Sequence, residues 1–165
     1  PPAKPLIGAV EGYALAGGME IAIACDLLVA NTQAQFGIPE VKRSLVAAAG
    51  GLLTLPSIIG KRMAMELALT GDFISAQRAY EMGFVNRLTE GAAIDGALEL
   101  ASKVAANGPL ALIATKRVIN ERPDWNSTEM WKKQNEICSP VFTSKDSREG
   151  ALAFAEKRKP NWQGE

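Results

Sequence analysis

The stretch at residues 12–26, GYALAGGMEIAIACD, decides the fold, because it joins a glycine pair and the carboxylate of Glu20 to an apolar run. The short apolar run at residues 6–10 predicts a buried strand, and the run at residues 19–25 predicts a buried helix. Gly17 and Gly18 are therefore expected where a strand passes into a helix. Glycines at such a point let a ligand approach the backbone, and the first N–H groups of a helix can bind an anion.

Two carboxylates stand in unusual places in this part of the sequence. Glu20 would lie one turn into the predicted helix among apolar neighbours, and Glu40 follows Gly37 and Pro39, which restrict the backbone before it. Glu20 alone could be an ordinary acid of a first helical turn, favoured there by the helix dipole. A second acid beside another buried element favours a different interpretation, in which the two carboxylates face one another across a pocket.

Composition limits the possible functions. The chain has 165 residues, 47% of them hydrophobic, and a formal net charge of zero, which is typical of a globular domain and gives no electrostatic reason to expect nucleic acid as a partner. No apolar run approaches the roughly 20 residues of a membrane span, so we expect a cytoplasmic protein without a membrane partner. The sequence has no histidine, which excludes Ser-His-Asp and histidine–metal chemistry within it. Cys25 and Cys138 have no metal-ligand spacing, so we predict no metal site.

Several segments together resemble the enoyl-CoA hydratase/isomerase, or crotonase, family. The resemblance rests on residues 5–20 (PLIGAVEGYALAGGME), on the pair Cys25-Asp26, and on residues 34–40 (AQFGIPE), 69–72 (LTGD), 83–86 (GFVN), 148–150 (REG) and 154–160 (FAEKRKP). It implies an α/β fold with a partial crotonase-like ββα spiral core at residues 1–90 and a helical trimerisation region at residues 91–165. It also begins in what would be the middle of a crotonase subunit, so we expect a longer protein to supply roughly the first third.

The resemblance implies a reaction and a substrate. Glu20 and Glu40 match the two catalytic glutamates of the family and would hold one water molecule between them. One glutamate would accept the proton of that water as hydroxide adds at C3 of a 2-trans-enoyl-CoA thioester, while the other would deliver a proton to C2. The N–H of Gly17 would bind the thioester oxygen, where negative charge develops. Coenzyme A belongs to the substrate, so no separate cofactor is implied.

The same resemblance assigns further substrate contacts. Ala14, Gly18 and Gly51 would contribute to substrate binding, and Lys157 would approach the phosphates of coenzyme A. Lys157 is equally well explained as a base at a helix C-terminus, where the dipole favours a positive charge. The two alanines at residues 47–48 depart from the glycine-containing loop of the family, which predicts a tighter or more helical acyl-binding wall.

Other functions remain possible from the sequence. Enoyl-CoA isomerases need one proton-shuttling carboxylate, so two retained glutamates favour hydratase over isomerase or another acyl-CoA lyase of the family. A member that binds acyl-CoA or a protein partner without turnover is the alternative of a different class. The resemblance implies a homo-oligomer, either a trimer or a dimer of trimers.

The second half of the sequence predicts helices. Helical spacing is shown by Ile94, Ala97, Leu98, Ala101, Val104 and Ala105, and Asp146 with Glu149 three residues later is typical of a capping box. Ala151, Phe154 and Ala155 would point inward from the helix that follows. We expect Trp131 to lie in the core or in a contact between subunits.

Overall fold

The computed structural model describes residues 2–165, whose internal contacts divide into two compact units. One unit is Leu6–Ala101, and the other is formed by Ser102–Glu165 with the few residues that precede Leu6. All the strands found among the described residues lie in the first unit. The predicted division at residues 90/91 into a spiral core and an oligomerisation region stays a prediction.

The first unit alternates short strands with helices. Its strands are Ile7–Val10 (β1), Tyr13–Leu15 (β2), Leu27–Asn31 (β3), Gln35–Gly37 (β4), Ile74–Ser75 (β5) and Arg87–Thr89 (β6). Its helices are Gly17–Ile23 (α1), Gly51–Ile59 (α2), Lys61–Thr70 (α3) and Ala76–Glu81 (α4), with a 3-10 helix at Pro39–Arg43; the longer helix Ala93–Ala105 (α5) begins in this unit.

The strands form two three-stranded sheets. The first has the order β1-β3-β6 and is parallel throughout, with Ile7 opposite Leu27 and Val29 opposite Arg87. In the second, β2 and β4 are parallel, while β4 and β5 are antiparallel. Because β2 precedes α1 directly and β4 precedes the 3-10 helix, the second sheet supports both segments that carry the predicted catalytic glutamates.

The core of the first unit is apolar and closely packed. Its largest fully buried side chains are Phe36, Met19, Ile38, Leu55 and Val29, and the Phe36 ring meets the Phe84 ring edge to face at a centroid distance of 5.3 Å. Helix α1 is buried on one side only, because Ile21 is 71% exposed. The helix predicted as buried at residues 19–25 is therefore buried on its inner face and exposed on its outer face.

Local chemistry fixes the ends of the middle helices. Gly71 ends α3 in the left-handed conformation, with φ 65°, which a residue without Cβ adopts at little cost. Ser75 caps α4, since its hydroxyl accepts a hydrogen bond from the N–H of Arg78 at 3.2 Å. Both ends thus depend on residue types that are typical of these positions.

The second unit is helical in its regular structure and contains Pro109–Glu121 (α6), Met130–Phe142 (α7) and Lys145–Ala155 (α8), with a 3-10 turn at Arg122–Asp124. The predicted capping box was wrong. Ser144 is the cap of α8, because its hydroxyl accepts from the N–H of Ser147, and Glu149 pairs instead with Arg158. The carboxylate of Asp146 accepts the N–H groups of Gln163 and Gly164 at 2.7 and 2.9 Å.

The burial of two helices differs from their apolar patterns. The helix predicted by spacing at residues 94–105 is confirmed as α5, in which Ala97 and Leu100 are buried, whereas Ile94 is 52% exposed. In α8, Ala153 is the buried residue, and Phe154 is 87% exposed. Helical periodicity identifies an apolar stripe, but it does not say whether the chain itself covers that stripe.

Trp131 is 64% exposed, so it does not lie in the core of this chain. The alternative that it contacts another subunit stays a prediction. Within residues 2–165, no helix has the length and apolarity needed to cross a bilayer. The same residues contain no cluster of three or more metal-ligating side chains.

Candidate active site

Glu20 lies in the first turn of α1 and is only 8% exposed. The sheet strand β2 and the turn after it place it there. Its Oε1 atom accepts two backbone hydrogen bonds, from the N–H of Ala49 at 2.8 Å and from the N–H of Gly51 at 3.0 Å. Two peptide dipoles therefore compensate the charge of a carboxylate that lies inside the protein.

Glu40 is bound in a different way. It is the second residue of the 3-10 helix that begins at Pro39, and its side chain is half-buried. Its Oε2 atom is fully buried and has no hydrogen-bond partner within residues 2–165. A buried carboxylate oxygen without a partner is unfavourable, so such an atom is typical of a functional site rather than of a structural one.

A cavity of about 490 Å³ adjoins Glu40. Its walls come from the 3-10 helix, the following loop, α2 and α3, and they are apolar apart from Glu40 and Lys61. This volume lies within the range of small-molecule sites, and the surface is suited to a hydrocarbon chain. The lining residues are Ile38, Glu40, Val41, Val46, Ala47, Leu52, Leu55, Pro56, Lys61, Ala64, Met65, Ala68 and Leu69.

The turn before α2 contacts both parts of the site. Val46 and Ala47, which precede α2, line the cavity beside Glu40, while Ala49 and Gly51, the first residue of α2, donate to Glu20. The turn reaches α2 through Gly50, whose φ of 104° suits a glycine. Residues 44–50 contain no helix, so the more helical form of this loop was wrong, and the tighter form stays a prediction.

The predicted oxyanion contact lies at the junction of β2 and α1. Gly17 is the first residue of α1, and its N–H has no acceptor within that helix. The preceding residue, Ala16, has φ 52° and ψ −126°, and its backbone is held on both sides. Its N–H donates to the carbonyl of Gly37, and its carbonyl accepts from the N–H of Glu20, both at 3.0 Å.

The remaining predicted contacts lie in three places. Ala14 is buried in β2 opposite Phe36, and Gly18 is exposed beside Gly17 at the start of α1. Lys157 belongs to the C-terminal unit, where it follows α8 with φ 54°. The structure thus brings Glu20 and Gly51 into contact and places Glu40 on the cavity.

Sequence reasoning missed one partner of Glu20. The N–H of Ala49 makes the shorter of the two hydrogen bonds to the carboxylate, yet alanine carries no signal for such a role. The glycine pair after it was the only local sign that another group approaches the backbone in this turn. Cys25 follows α1, and burial and then the charge of Asp26 raise the pKa of its thiol above the ordinary value, which disfavours the thiolate.

Comparisons with known proteins identify the family of this chain. The family described as Enoyl-CoA hydratase/isomerase matches residues 2–165. Enoyl-CoA hydratase EchA19 of Mycobacterium tuberculosis (strain ATCC 25618 / H37Rv) is 46% identical over 161 residues, which are 97% of this chain and 60% of that protein. The mitochondrial enoyl-CoA hydratase of Pongo abelii is 38% identical over 96% of this chain and 55% of its own length.

Solved structures show the same likeness. The crystal structure of an enoyl-CoA hydratase from Mycobacterium tuberculosis H37Rv superposes with a TM-score of 0.98 at 60% sequence identity, over 100% of this chain and 66% of that one. The chain therefore spans less than two thirds of the length of these relatives. The predicted α/β crotonase-like fold is confirmed over the part that the chain covers. On this evidence, the chain belongs to the enoyl-CoA hydratase/isomerase family.

Proposed function

We propose that the protein containing this chain is an enoyl-CoA hydratase, which adds water across the double bond of a 2-trans-enoyl-CoA thioester. The observation that carries this proposal is that two carboxylates, which differ in their hydrogen bonds, lie beside the turn that precedes α2. Oε2 of Glu20 accepts no hydrogen bond from the turn, because both donors bind Oε1. Oε2 of Glu40 is buried beside an apolar cavity and has no hydrogen-bond partner among the described residues. The names of the relatives support the same reaction.

The proposed reaction uses the two glutamates together. A water molecule held between them attacks C3, and one carboxylate takes the proton that this water loses. The other glutamate, in its acid form, gives a proton to C2, so that the product carries a hydroxyl on C3 and a new hydrogen on C2. Groups that transfer protons in this way contribute about 10²- to 10⁴-fold to the rate.

The N–H of Gly17 has the role of an oxyanion donor in this proposal. As hydroxide adds at C3, charge moves to the thioester oxygen, and a fixed N–H stabilises that charge without reorganisation. The hydrogen bonds that hold Ala16 to Gly37 and Glu20 support this assignment, because they fix the peptide group that carries this N–H. Ala14, Gly18 and Gly51 complete the substrate side of the site, and Lys157 binds a phosphate of coenzyme A.

A homo-oligomer, as a trimer or a dimer of trimers, is part of the same proposal. Its support is the exposed apolar surface of the helical unit, where Trp131, Phe142 and Phe154 are 64%, 76% and 87% exposed. A cytoplasmic location completes the proposal.

The test begins with the intact mass of the purified protein and continues with its hydration of crotonyl-CoA, followed by the loss of enoyl-thioester absorbance. Wild type should turn over, and Glu20→Gln and Glu40→Gln should each lower kcat by about 10²- to 10⁴-fold, the range for general acid–base groups. Conversion of a 3-enoyl-CoA without hydration would favour an isomerase. Binding of acyl-CoA without any turnover would favour the non-catalytic alternative.

A further inference from the structure

We infer that the segment from Ala49 to Gly51 positions the side chain of Glu20. Its N–H groups bind one carboxylate oxygen and leave the other oxygen available for proton transfer. This inference rests on the proposed hydratase function. It concerns Gly51 in particular, for which the family resemblance implied only a contact with the substrate.

The two hydrogen bonds converge on a single atom. The N–H groups of Ala49 and Gly51 both donate to Oε1 of Glu20, and no described residue donates to Oε2. The donors come from a part of the chain 29 and 31 residues away, so this contact is tertiary and does not follow from the sequence around Glu20. A carboxylate held at one oxygen by two rigid backbone donors has a fixed orientation for its second oxygen.

Glu20 also completes the start of α2. The first N–H groups of a helix lack partners within it, and Gly50, the residue before α2, has no side chain to cap them. Oε1 of Glu20 accepts the N–H of Gly51, the first residue of that helix. Helix α2 therefore depends on Glu20, and the orientation of Glu20 depends on α2.

A side chain at position 51 would press on Glu20. A Cβ on Gly51 would lie 3.0 Å from Cγ and 3.1 Å from Oε1 of Glu20, both closer than ordinary van der Waals contact. The three atoms nearest to this Cβ all belong to Glu20, so a methyl group there would push the carboxylate itself. Gly51 is a positioning residue in this arrangement, since it acts on the reaction through Glu20.

The decisive variant is Gly51→Ala in the protein that contains this chain, assayed with crotonyl-CoA. We expect kcat to fall by about 10- to 100-fold, the effect of a small misplacement of a reacting group, with KM within threefold of wild type. Gly12→Ala is the matched control, because a Cβ on Gly12 meets nothing within 4 Å, and both constants should stay unchanged. An active wild type with an unchanged kcat in Gly51→Ala overturns the inference.

A second pair of variants decides the matter if Gly51→Ala does not fold. Glu20→Gln keeps an oxygen that can accept both N–H groups, so its melting temperature should stay within a few degrees of wild type while its activity is lost. Glu20→Ala removes the acceptor and should melt clearly lower. Equal melting temperatures for these two variants would overturn the inference, whereas an inactive wild type would overturn the hydratase proposal itself, before any substitution is compared.

Discussion

Replacing Glu40 by methionine should make the protein more stable and inactive. The reason is the Oε2 atom of Glu40, which is buried without a hydrogen-bond partner beside an apolar cavity. A buried polar atom that has lost water and found no partner costs about 1–3 kcal/mol. Methionine has a similar length, is flexible and has no oxygen, so Glu40→Met removes that cost and adds apolar contact with Ala47 and its neighbours.

The size of the effect follows from the chain length. For a domain of 150–250 residues, 1 kcal/mol shifts the melting temperature by about 2–4 °C, so relief of 1–3 kcal/mol predicts an increase of about 2–12 °C. Differential scanning calorimetry at one protein concentration measures the shift. Hydration of crotonyl-CoA, measured on the same sample, should fall to the level of Glu40→Gln.

Two controls make this result specific to the cavity. Glu66→Met exchanges the same two residue types on the exposed side of α3, and the melting temperature should move little. Glu40→Gln leaves a polar group at the same place and should gain less stability than Glu40→Met. If Glu40→Met melts at or below the wild-type temperature, the Oε2 atom has a hydrogen-bond partner in solution. That result would refute the claim that this buried oxygen lowers the stability of the fold.

Two further predictions concern the backbone before Gly17 and the helical unit. Ala16 has φ 52° and ψ −126°, a conformation that suits glycine. Ala16→Gly should therefore raise the free energy of unfolding by about 1 kcal/mol, measured by urea denaturation. A lower free energy of unfolding would contradict the claim that the backbone of Ala16 is strained. The hydrogen bonds of Arg158 and then of the Asn161 N–H lower the pKa of Glu149 from 4.5 to about 2. Because the folded pKa is the lower one, this stabilisation is present above pH 4.5 and is lost as the pH falls towards 2, so Glu149→Gln should flatten the acid unfolding curve in that window; an unchanged curve would contradict it. The side chains of Glu149 and Arg158 both lie near solvent, so added salt should weaken this pH-dependent stabilisation.

Local signals in the sequence predicted the elements well. The glycine pair at residues 17–18 stands where a strand passes into a helix, as expected, and Gly71 and Ser75 are of the residue types typical of the places where they end α3 and cap α4. Each of these features depends on one residue and its immediate neighbours. The strand β2, by contrast, was missed, because Tyr13–Leu15 is too short to show an alternating pattern.

Exposure could not be predicted in the same way. The apolar stripes of α5 and α8 include Ile94 and Phe154, which a pattern assigns to a core and which this chain leaves exposed. The cap of α8 was misplaced for a related reason. Asp146 has the residue type of a cap, but the chain end folds back and offers it the N–H groups of Gln163 and Gly164.

The two glutamates show why the site could be found but not described from sequence. Each was conspicuous as a carboxylate in apolar surroundings, and that signal is local. What distinguishes them is tertiary: two N–H groups from a distant turn reach Glu20, and none reaches Oε2 of Glu40. The carboxylate that is held by the backbone keeps its orientation at little cost, whereas the unpartnered one lowers stability until a ligand supplies the missing hydrogen bond. Binding of a water molecule or a substrate at Glu40 should therefore stabilise the fold, and Glu40→Met should abolish that gain.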